Sequence, residues 1–140
     1  MHDACFSDVW SSDYFRSFIA NMQCFGFIIS AAQLEREHEE WIDCGFVLWH
    51  RVFPEEAELL KICVLPNRRR KGIGKTLLEE SKKYASNNTI KKFLLEVAMN
   101  NFPAICLYEC VGFKKITQRK GYYKINEKLI DANIMALNLE

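Results

Sequence analysis

The pattern of hydrophobic and polar positions along the 140-residue chain predicts both strands and helices. Apolar, β-branched runs predict strands at residues 25–32, 46–52, 59–65 and 93–98, with two more at about 114–124 and 132–139. Apolar residues at helical spacing predict helices at 74–85 and 102–111, and polar segments predict a turn at 34–40 and a loop at 53–56. Strands followed by alternating helices and strands predict an α/β or α+β sandwich in one domain, residues 1–140.

Capping residues indicate where two helices begin or end. Asn101 can cap the helix at 102–111, with Pro103 in its first turn and Gly112 at its C-terminal stop. Ser11 or Ser12 can cap an earlier short helix. The apolar face of that helix would consist of Tyr14, Phe15, Phe18 and Ile19.

Composition and charge exclude several classes of protein. Hydrophobic residues make up 49% of the chain, which excludes a disordered protein. The 19 basic and 18 acidic residues leave a net charge of +1, so no overall field attracts nucleic acid. No apolar run reaches the roughly 18 residues that span a bilayer, and no signal peptide precedes the first helix. We expect a cytoplasmic protein without a nucleic-acid or membrane partner.

Six cysteines stand at positions 5, 24, 44, 63, 106 and 110. We expect reduced core thiols rather than disulfides, because the chain can bury a core and carries no export signal. No C-x-x-C pair occurs, and the three histidines are scattered along the sequence. We therefore expect no metal site.

The segment at residues 65–75, LPNRRRKGIGK, lies between a predicted strand and a predicted helix. Gly72 and Gly74 permit a tight turn with converging N–H groups, and the following helix start adds a positive dipole end. These features predict an anion cradle suited to a pyrophosphate; a solvated basic turn is the alternative for the basic run alone. Neither the Walker A nor the Rossmann glycine spacing is present. What remains is R-x-x-G-x-G, from Arg69 to Gly74.

This loop resembles the acetyl-CoA loop of GNAT-superfamily N-acetyltransferases. The downstream sequence resembles, more specifically, the bacterial ribosomal-protein-alanine N-acetyltransferases, and Trp10-Ser11 is similar to their early helix start. The downstream residues that carry the resemblance are Leu95-Glu96-Val97, Asn101, Leu107-Tyr108-Glu109, Gly112-Phe113, Gly121-Tyr122-Tyr123, Asp131-Ala132 and Met135-Ala136-Leu137. The resemblance implies a GNAT-like, mixed, mostly antiparallel sheet flanked by helices.

The resemblance also implies acetyl-CoA as cosubstrate and a protein N-terminus as acceptor, such as that of a ribosomal protein beginning with alanine. It implies a general base at Glu96 and a general acid at Tyr108. The residues implied to bind the cosubstrate are Ile62, Cys63, Val64, Arg69, Arg70, Lys71, Gly72, Ile73, Gly74, Lys75 and Asn101.

The residue types support these two catalytic roles. Glu96 is the sole charged residue of 93–98, and an apolar strand is expected to raise the pKa of a carboxyl group, which suits a base. The alternative is an exposed glutamate at a strand end. Tyr108 could protonate a leaving thiolate, or could be a core tyrosine. Tyr122 and Tyr123 could wall a peptide slot or pack as a strand pair, and Cys63 is expected to be a bystander.

The resemblance implies a strand before Trp10, but nine residues leave no room for it. We therefore expect the sheet to begin at residues 25–32, with a free edge that the N-terminal segment or a second copy of the chain covers, so that a homodimer is possible. Two other functions stay open. One is acetylation of small amines or lysine side chains, and the other is non-catalytic acyl-CoA binding.

Overall fold

The computed structural model describes residues 13, 16, 17, 20 and 23–140. Asp13, Arg16, Ser17 and Ala20 are helical and exposed, whereas the caps and the apolar face predicted for the first helix lie outside the described residues. Beyond them the chain forms β1 (Cys24–Glu35), β2 (His38–Phe53), β3 (Glu56–Val64), a 3-10 helix (Pro66–Arg68), α1 (Ile73–Asn87), β4 (Lys92–Ala98), α2 (Phe102–Val111), β5 (Lys114–Ile125) and β6 (Lys128–Asn138).

The described strands form one six-stranded sheet in the order β1-β2-β3-β4-β6-β5. Strand β1 pairs antiparallel with β2, and β6 pairs antiparallel with both β4 and β5. The parallel ladder joins Glu56–Glu58 of β3 to Lys92–Leu94 of β4. The predicted mixed, mostly antiparallel sheet with helices is therefore confirmed. Strand β1 stands at one end of the described order, as predicted, while residues 1–9 and any strand or cover they form lie outside the described residues.

The turn predicted at residues 34–40 is wrong in extent. Arg36 and Glu37 alone make the turn, with φ of 48° and 71°, and the charged residues after them continue as strand β2. Asn126 and Glu127 make a second two-residue turn with positive φ, so β6 also begins earlier than predicted. Two consecutive positive φ values are the geometry of tight hairpin turns, which glycine usually marks in a sequence. Neither turn contains glycine, so this mark is absent from both.

The described chain divides into two compact units. Unit 1 extends to His50 and includes residues 60–81, and unit 2 comprises residues 51–59 and 82–140. The single domain expected from the sequence stays a prediction. In unit 1 the core contains Cys44, Val47, Leu48, Trp49, Cys63, Leu77 and Leu78. The core of unit 2 includes Phe93, Leu95, Val97, Tyr108, Val111, Phe113, Ala132 and Met135.

A buried hydrogen-bond chain crosses the core of unit 1. Trp49 Nε1 donates to Ser81 Oγ at 2.9 Å, and Ser81 Oγ donates to the carbonyl of Leu77 at 2.7 Å. Both Trp49 and Ser81 are fully buried. The serine therefore satisfies an indole N–H that water cannot reach.

Ser81→Ala is expected to destabilise the protein by about 1–3 kcal/mol, because the Trp49 N–H loses its acceptor while it stays buried. Urea unfolding followed by circular dichroism measures this free energy. Ser86→Ala, at an exposed position of the same helix, is the matched control and should change stability by no more than about 0.5 kcal/mol. Equal stability of the two variants would contradict the assigned hydrogen bond.

Helix α2 has the predicted bounds and ends. Asn101 Oδ1 accepts from the N–H of Ala104 at 3.4 Å, and Pro103 lies in the first turn. Gly112 ends the helix with φ of 112°, and its N–H donates to the carbonyls of Tyr108 and Glu109. The Asn101 side chain therefore caps the helix in this structure.

The cysteines depart from the expectation of six reduced core thiols. Cys24, Cys44, Cys106 and Cys110 are free, but Cys63 is disulfide-bonded. Cys106 and Cys110 are exposed on helix α2 rather than buried in the core. Disulfide formation requires two Cβ atoms within about 4 Å, which sequence spacing does not reveal.

Candidate active site

The predicted anion loop begins where strand β3 ends. The N–H of Leu65 donates to the carbonyl of Cys44 at 2.9 Å, and Arg69 Nε donates to the carbonyl of Val64 at 2.9 Å. Arg68 Nη2 donates to Gln33 Oε1 at 3.2 Å. Two of the loop arginines therefore brace the loop against its own unit, and the residues that stay exposed after them are Arg70, Lys71 and Gly72.

The backbone after Arg69 contains two residues with positive φ. Arg70 has φ of 64° and Gly72 has φ of 80°. Among the described residues, the N–H groups of 70–75 donate to no protein acceptor, and the next one, that of Thr76, donates to the carbonyl of Gly72 at 3.0 Å. Consecutive free N–H groups at a helix start bind anions. A Cβ on Gly72 would meet nothing within 4 Å, so there is room for a phosphate above the loop.

Gly45 positions this loop and was not singled out in the sequence. A Cβ on Gly45 would lie 2.8 Å from the carbonyl oxygen of Cys63 and 3.1 Å from Cγ2 of Ile73. Any side chain there would therefore shift the end of β3 or the start of α1. A glycine beside a predicted strand is the signal that could have identified this close approach.

In unit 2, Glu96 lies on strand β4, whose residues alternate between two faces. Phe93, Leu95 and Val97 are buried on one face, and Glu96 lies on the other with its side chain 19% exposed. Arg119 Nη1 donates to Glu96 Oε1 at 3.0 Å. The carboxylate is thus ion-paired, rather than alone among apolar side chains as predicted.

Strand register explains how Arg119 reaches Glu96. Ala98 pairs with Ala132, and Ala132 pairs with Arg119, so these three residues lie in one row across β4, β6 and β5. Glu96 lies two positions from Ala98 and shares its face. Ala132 lies on β6, between β4 and β5, and its small side chain leaves room for the arginine to reach across. Sequence reasoning missed Arg119, which is 23 residues from Glu96 along the chain.

Two adjacent tyrosines complete the surroundings of Glu96. Hydrogen bonding to the Glu96 carboxylate raises the pKa of Tyr122, whose ring lies 4.9 Å from the Arg119 guanidinium carbon. Tyr123 OH donates to the carbonyl oxygen of Glu96 at 3.4 Å, and burial raises the pKa of Tyr123 to about 12. The two rings meet edge to face at 4.9 Å. Tyr122 is exposed and Tyr123 is half-buried. The two rings pack against each other, and the role of a peptide slot wall stays a prediction.

Tyr108 is the buried tyrosine of helix α2. Its side chain is 5% exposed and meets the Phe113 ring edge to face at 5.8 Å. Burial, and then the neighbouring Tyr123, raise the pKa of Tyr108 well above its ordinary value. Within the part of the chain that the structure describes, its hydroxyl has no hydrogen-bond partner. The hydroxyl therefore holds its proton at neutral pH.

A family model and two relatives place the chain among known proteins. Residues 1–113 match the model described as the acetyltransferase (GNAT) family. An N-alpha-acetyltransferase of Saccharolobus solfataricus is 45% identical over 82 residues, which are 58% of this chain and 47% of that protein. The [ribosomal protein bS18]-alanine N-acetyltransferase of Escherichia coli is 39% identical over 87 residues, 62% of this chain and 59% of that protein. The chain thus spans about half the length of these curated relatives.

A solved structure of one of these relatives has the same fold as this chain. The crystal structure of the ribosomal-protein-S18-alanine N-acetyltransferase from Escherichia coli superposes with a TM-score of 0.81 and 29% identity, covering 99% of this chain and 83% of that one. The fold is that of an acetyltransferase. With the family model matching well over half of its residues, the chain belongs to the acetyltransferase (GNAT) family. In the described residues, no helix has the length and apolarity needed to cross a membrane.

Proposed function

We propose that this protein transfers the acetyl group of acetyl-CoA to the N-terminal α-amine of a protein. The observation that carries the proposal is the Glu96 carboxylate, which is ion-paired with Arg119 at 3.0 Å in a member of the acetyltransferase (GNAT) family. The exposed Tyr122 ring lies 4.9 Å from the guanidinium carbon of that arginine. A carboxylate beside an open tyrosine surface can receive an ammonium group and remove its proton. The relatives named N-alpha-acetyltransferase support the choice of an α-amine.

The acetyl-CoA pyrophosphate would bind at the loop from Arg69 to Lys75. The free N–H groups of 70–75, the open space above Gly72 and the exposed basic side chains of Arg70, Lys71 and Lys75 support this. We assign the pantetheine arm to backbone groups of Ile62, Cys63 and Val64 and to Asn101. Ile62, Cys63 and Val64 end strand β3, and Asn101 caps helix α2.

The reaction would be a direct transfer. Glu96, or a water bound to it, takes a proton from the acceptor ammonium, and the neutral nitrogen attacks the thioester carbonyl carbon. Backbone N–H near Val64 would stabilise the oxyanion of the tetrahedral intermediate. The C–S bond then breaks as Tyr108 donates a proton to the departing thiolate. The attacking nitrogen loses its second proton to solvent, which gives the amide, and solvent returns a proton to Tyr108. Cys63 forms no acyl intermediate, which agrees with its being disulfide-bonded.

We propose a cytoplasmic acceptor whose first residue is alanine, with a ribosomal protein as the first candidate. The name of the Escherichia coli relative, [ribosomal protein bS18]-alanine N-acetyltransferase, supports that candidate. The exposed Tyr122 ring and the half-buried Tyr123 ring would contact the first residues of the acceptor.

Mass spectrometry of synthetic peptides incubated with acetyl-CoA tests the proposal. The peptides differ in their first residue, and each has a partner with a blocked α-amine and a free lysine. We expect acetylation at the α-amine, fastest for alanine, and none on the blocked partners. Acetylation of the blocked partners or of spermidine alone would favour the lysine or small-amine alternative. Binding of acetyl-CoA without transfer to any acceptor would favour a non-catalytic role.

Tyr108→Phe is expected to lower turnover by about 10²–10⁴-fold, because the departing thiolate loses its proton donor. The ring packing against Phe113 is kept, so stability and CoA affinity should stay unchanged. Because the pKa of Tyr108 is raised, its deprotonation should not limit the wild-type rate below about pH 10. Tyr84→Phe, at a half-buried tyrosine of helix α1, is the control; equal turnover by both variants would reject the acid role.

A further inference from the structure

Strand β5 bulges next to the residues that hold Glu96. Arg119 pairs with Ala132 and Tyr123 pairs with Ile130, so residues 120–122 of β5 lie opposite the single residue Asp131 of β6. Gly121, in the middle of the bulge, has φ of 60°. Bulges redirect side chains and often lie beside active sites.

The Asp131 carboxylate bonds to both sides of this bulge. Oδ1 accepts from the N–H of Gly121 at 2.8 Å, and Oδ2 accepts from Gln118 Nε2 at 2.8 Å. The same Gln118 Nε2 lies 3.3 Å from the sulfur of Met99, and the carbonyl of Asp131 accepts from the N–H of Met99 at 2.8 Å. The bonds from Gly121 and then Gln118 hold the pKa of Asp131 below its ordinary value. Asp131 therefore holds Gln118, directly before Arg119, and Gly121, two positions after it.

Asp131 and Glu96 lie on opposite faces of the sheet. Asp131 is adjacent to Ala132, which lies in the row of Arg119, so the Asp131 side chain lies on the opposite face. Its influence on Glu96 must pass through the backbone of residues 118–122. That stretch contains Arg119, which pairs with Glu96 at 3.0 Å, and Tyr122, whose ring lies 4.9 Å from the Arg119 guanidinium carbon.

We propose that Asp131 is a positioning residue: its carboxylate closes the β5 bulge so that Arg119 and Tyr122 hold the Glu96 carboxylate in one orientation. The catalytic consequence rests on the proposed function, in which Glu96 is the base. The structural part of the proposal, that Asp131 closes the bulge, does not depend on the proposed function. Freed of Arg119 and Tyr122, Glu96 would sample several rotamers, and a base displaced by about 1 Å can lose on the order of 10²-fold in rate.

Two variants of the same shape separate hydrogen bonding from packing. Asp131→Leu removes both acceptor oxygens. Asp131→Asn keeps one oxygen that accepts from the Gly121 N–H, and its amide nitrogen can donate to the side-chain oxygen of Gln118 once the Gln118 amide group has turned over. We expect Asp131→Leu to lower kcat by about 10²-fold with little change in the Kd of CoA, and Asp131→Asn to restore most of the rate. An unchanged rate in Asp131→Leu, or an equal loss in both variants, would overturn the proposal.

Amide hydrogen exchange at Gly121, measured by NMR, tests the bulge without activity. Exchange is expected to be at least about tenfold faster in Asp131→Leu than in the wild type and nearly unchanged in Asp131→Asn. If Asp131→Leu does not fold, Gln118→Met removes one of the two bonds and should give an intermediate increase. Unchanged exchange in the folded variant overturns the bulge assignment. A wild type that acetylates no peptide but shows these exchange rates rejects the proposed function and keeps the assignment.

Discussion

Glu96→Gln should lower the turnover of acetyl-CoA by about 10²–10⁴-fold, because an amide cannot take the proton of the acceptor ammonium. The substitution keeps the size of the side chain and one oxygen that can accept from Arg119, so the fold should be unchanged. Steady-state rates with an N-terminal alanine peptide and calorimetry with CoA measure the two quantities separately. The CoA affinity should equal that of the wild type.

The control for this experiment is Glu109→Gln, at an exposed glutamate of helix α2. Like Glu96→Gln, this substitution removes one carboxylate charge, but at a position away from Arg119 and Tyr122. It should leave turnover unchanged. Full turnover in Glu96→Gln would show that another group, or the solvent, accepts the proton.

Gly72→Asp should weaken CoA binding by about 10²-fold. A carboxylate about 5 Å from a phosphate oxygen, at an effective dielectric constant of about 20, costs about 3 kcal/mol. The space above Gly72 is open, so the new side chain would occupy the volume proposed for the pyrophosphate. Isothermal titration calorimetry with CoA measures the change.

Gly72→Asn separates the charge from the backbone effect. Asparagine and aspartate tolerate the left-handed conformation at φ of 80° better than other side chains, so both variants bear similar strain. We expect Gly72→Asn to bind CoA more weakly than the wild type but clearly better than Gly72→Asp. Wild-type affinity in a folded Gly72→Asp protein would place the pyrophosphate elsewhere.

Local signals determined which elements the sequence could define well. Helix α2 was predicted with the observed bounds because Asn101, Pro103 and Gly112 act within one turn of their own positions. The extents of the two hairpin turns were not predicted, because Arg36-Glu37 and Asn126-Glu127 adopt positive φ without glycine. Such turns are imposed by the pairing of the flanking strands, which no short window of sequence contains.

The candidate site was predictable where one segment supplies the chemistry. The loop from Arg69 to Lys75 carries its glycines, charges and helix start together, and Glu96 stands out in an apolar strand. Arg119 could not be found this way, because the register of two strand pairs brings it to Glu96. The ion pair also changes the expected character of the site, from a carboxyl group in apolar surroundings to a salt-bridged one.

The two exposed thiols of helix α2 affect how the oligomeric state must be measured. Cys106 and Cys110 are one helical turn apart, so they lie on one side of the helix, open to solvent. In air, such thiols cross-link protein molecules through intermolecular disulfides. A dimer that dissociates on addition of dithiothreitol would report this oxidation. A dimer that persists in dithiothreitol, or in a Cys106→Ser and Cys110→Ser double variant, would report strand pairing at the edge of β1.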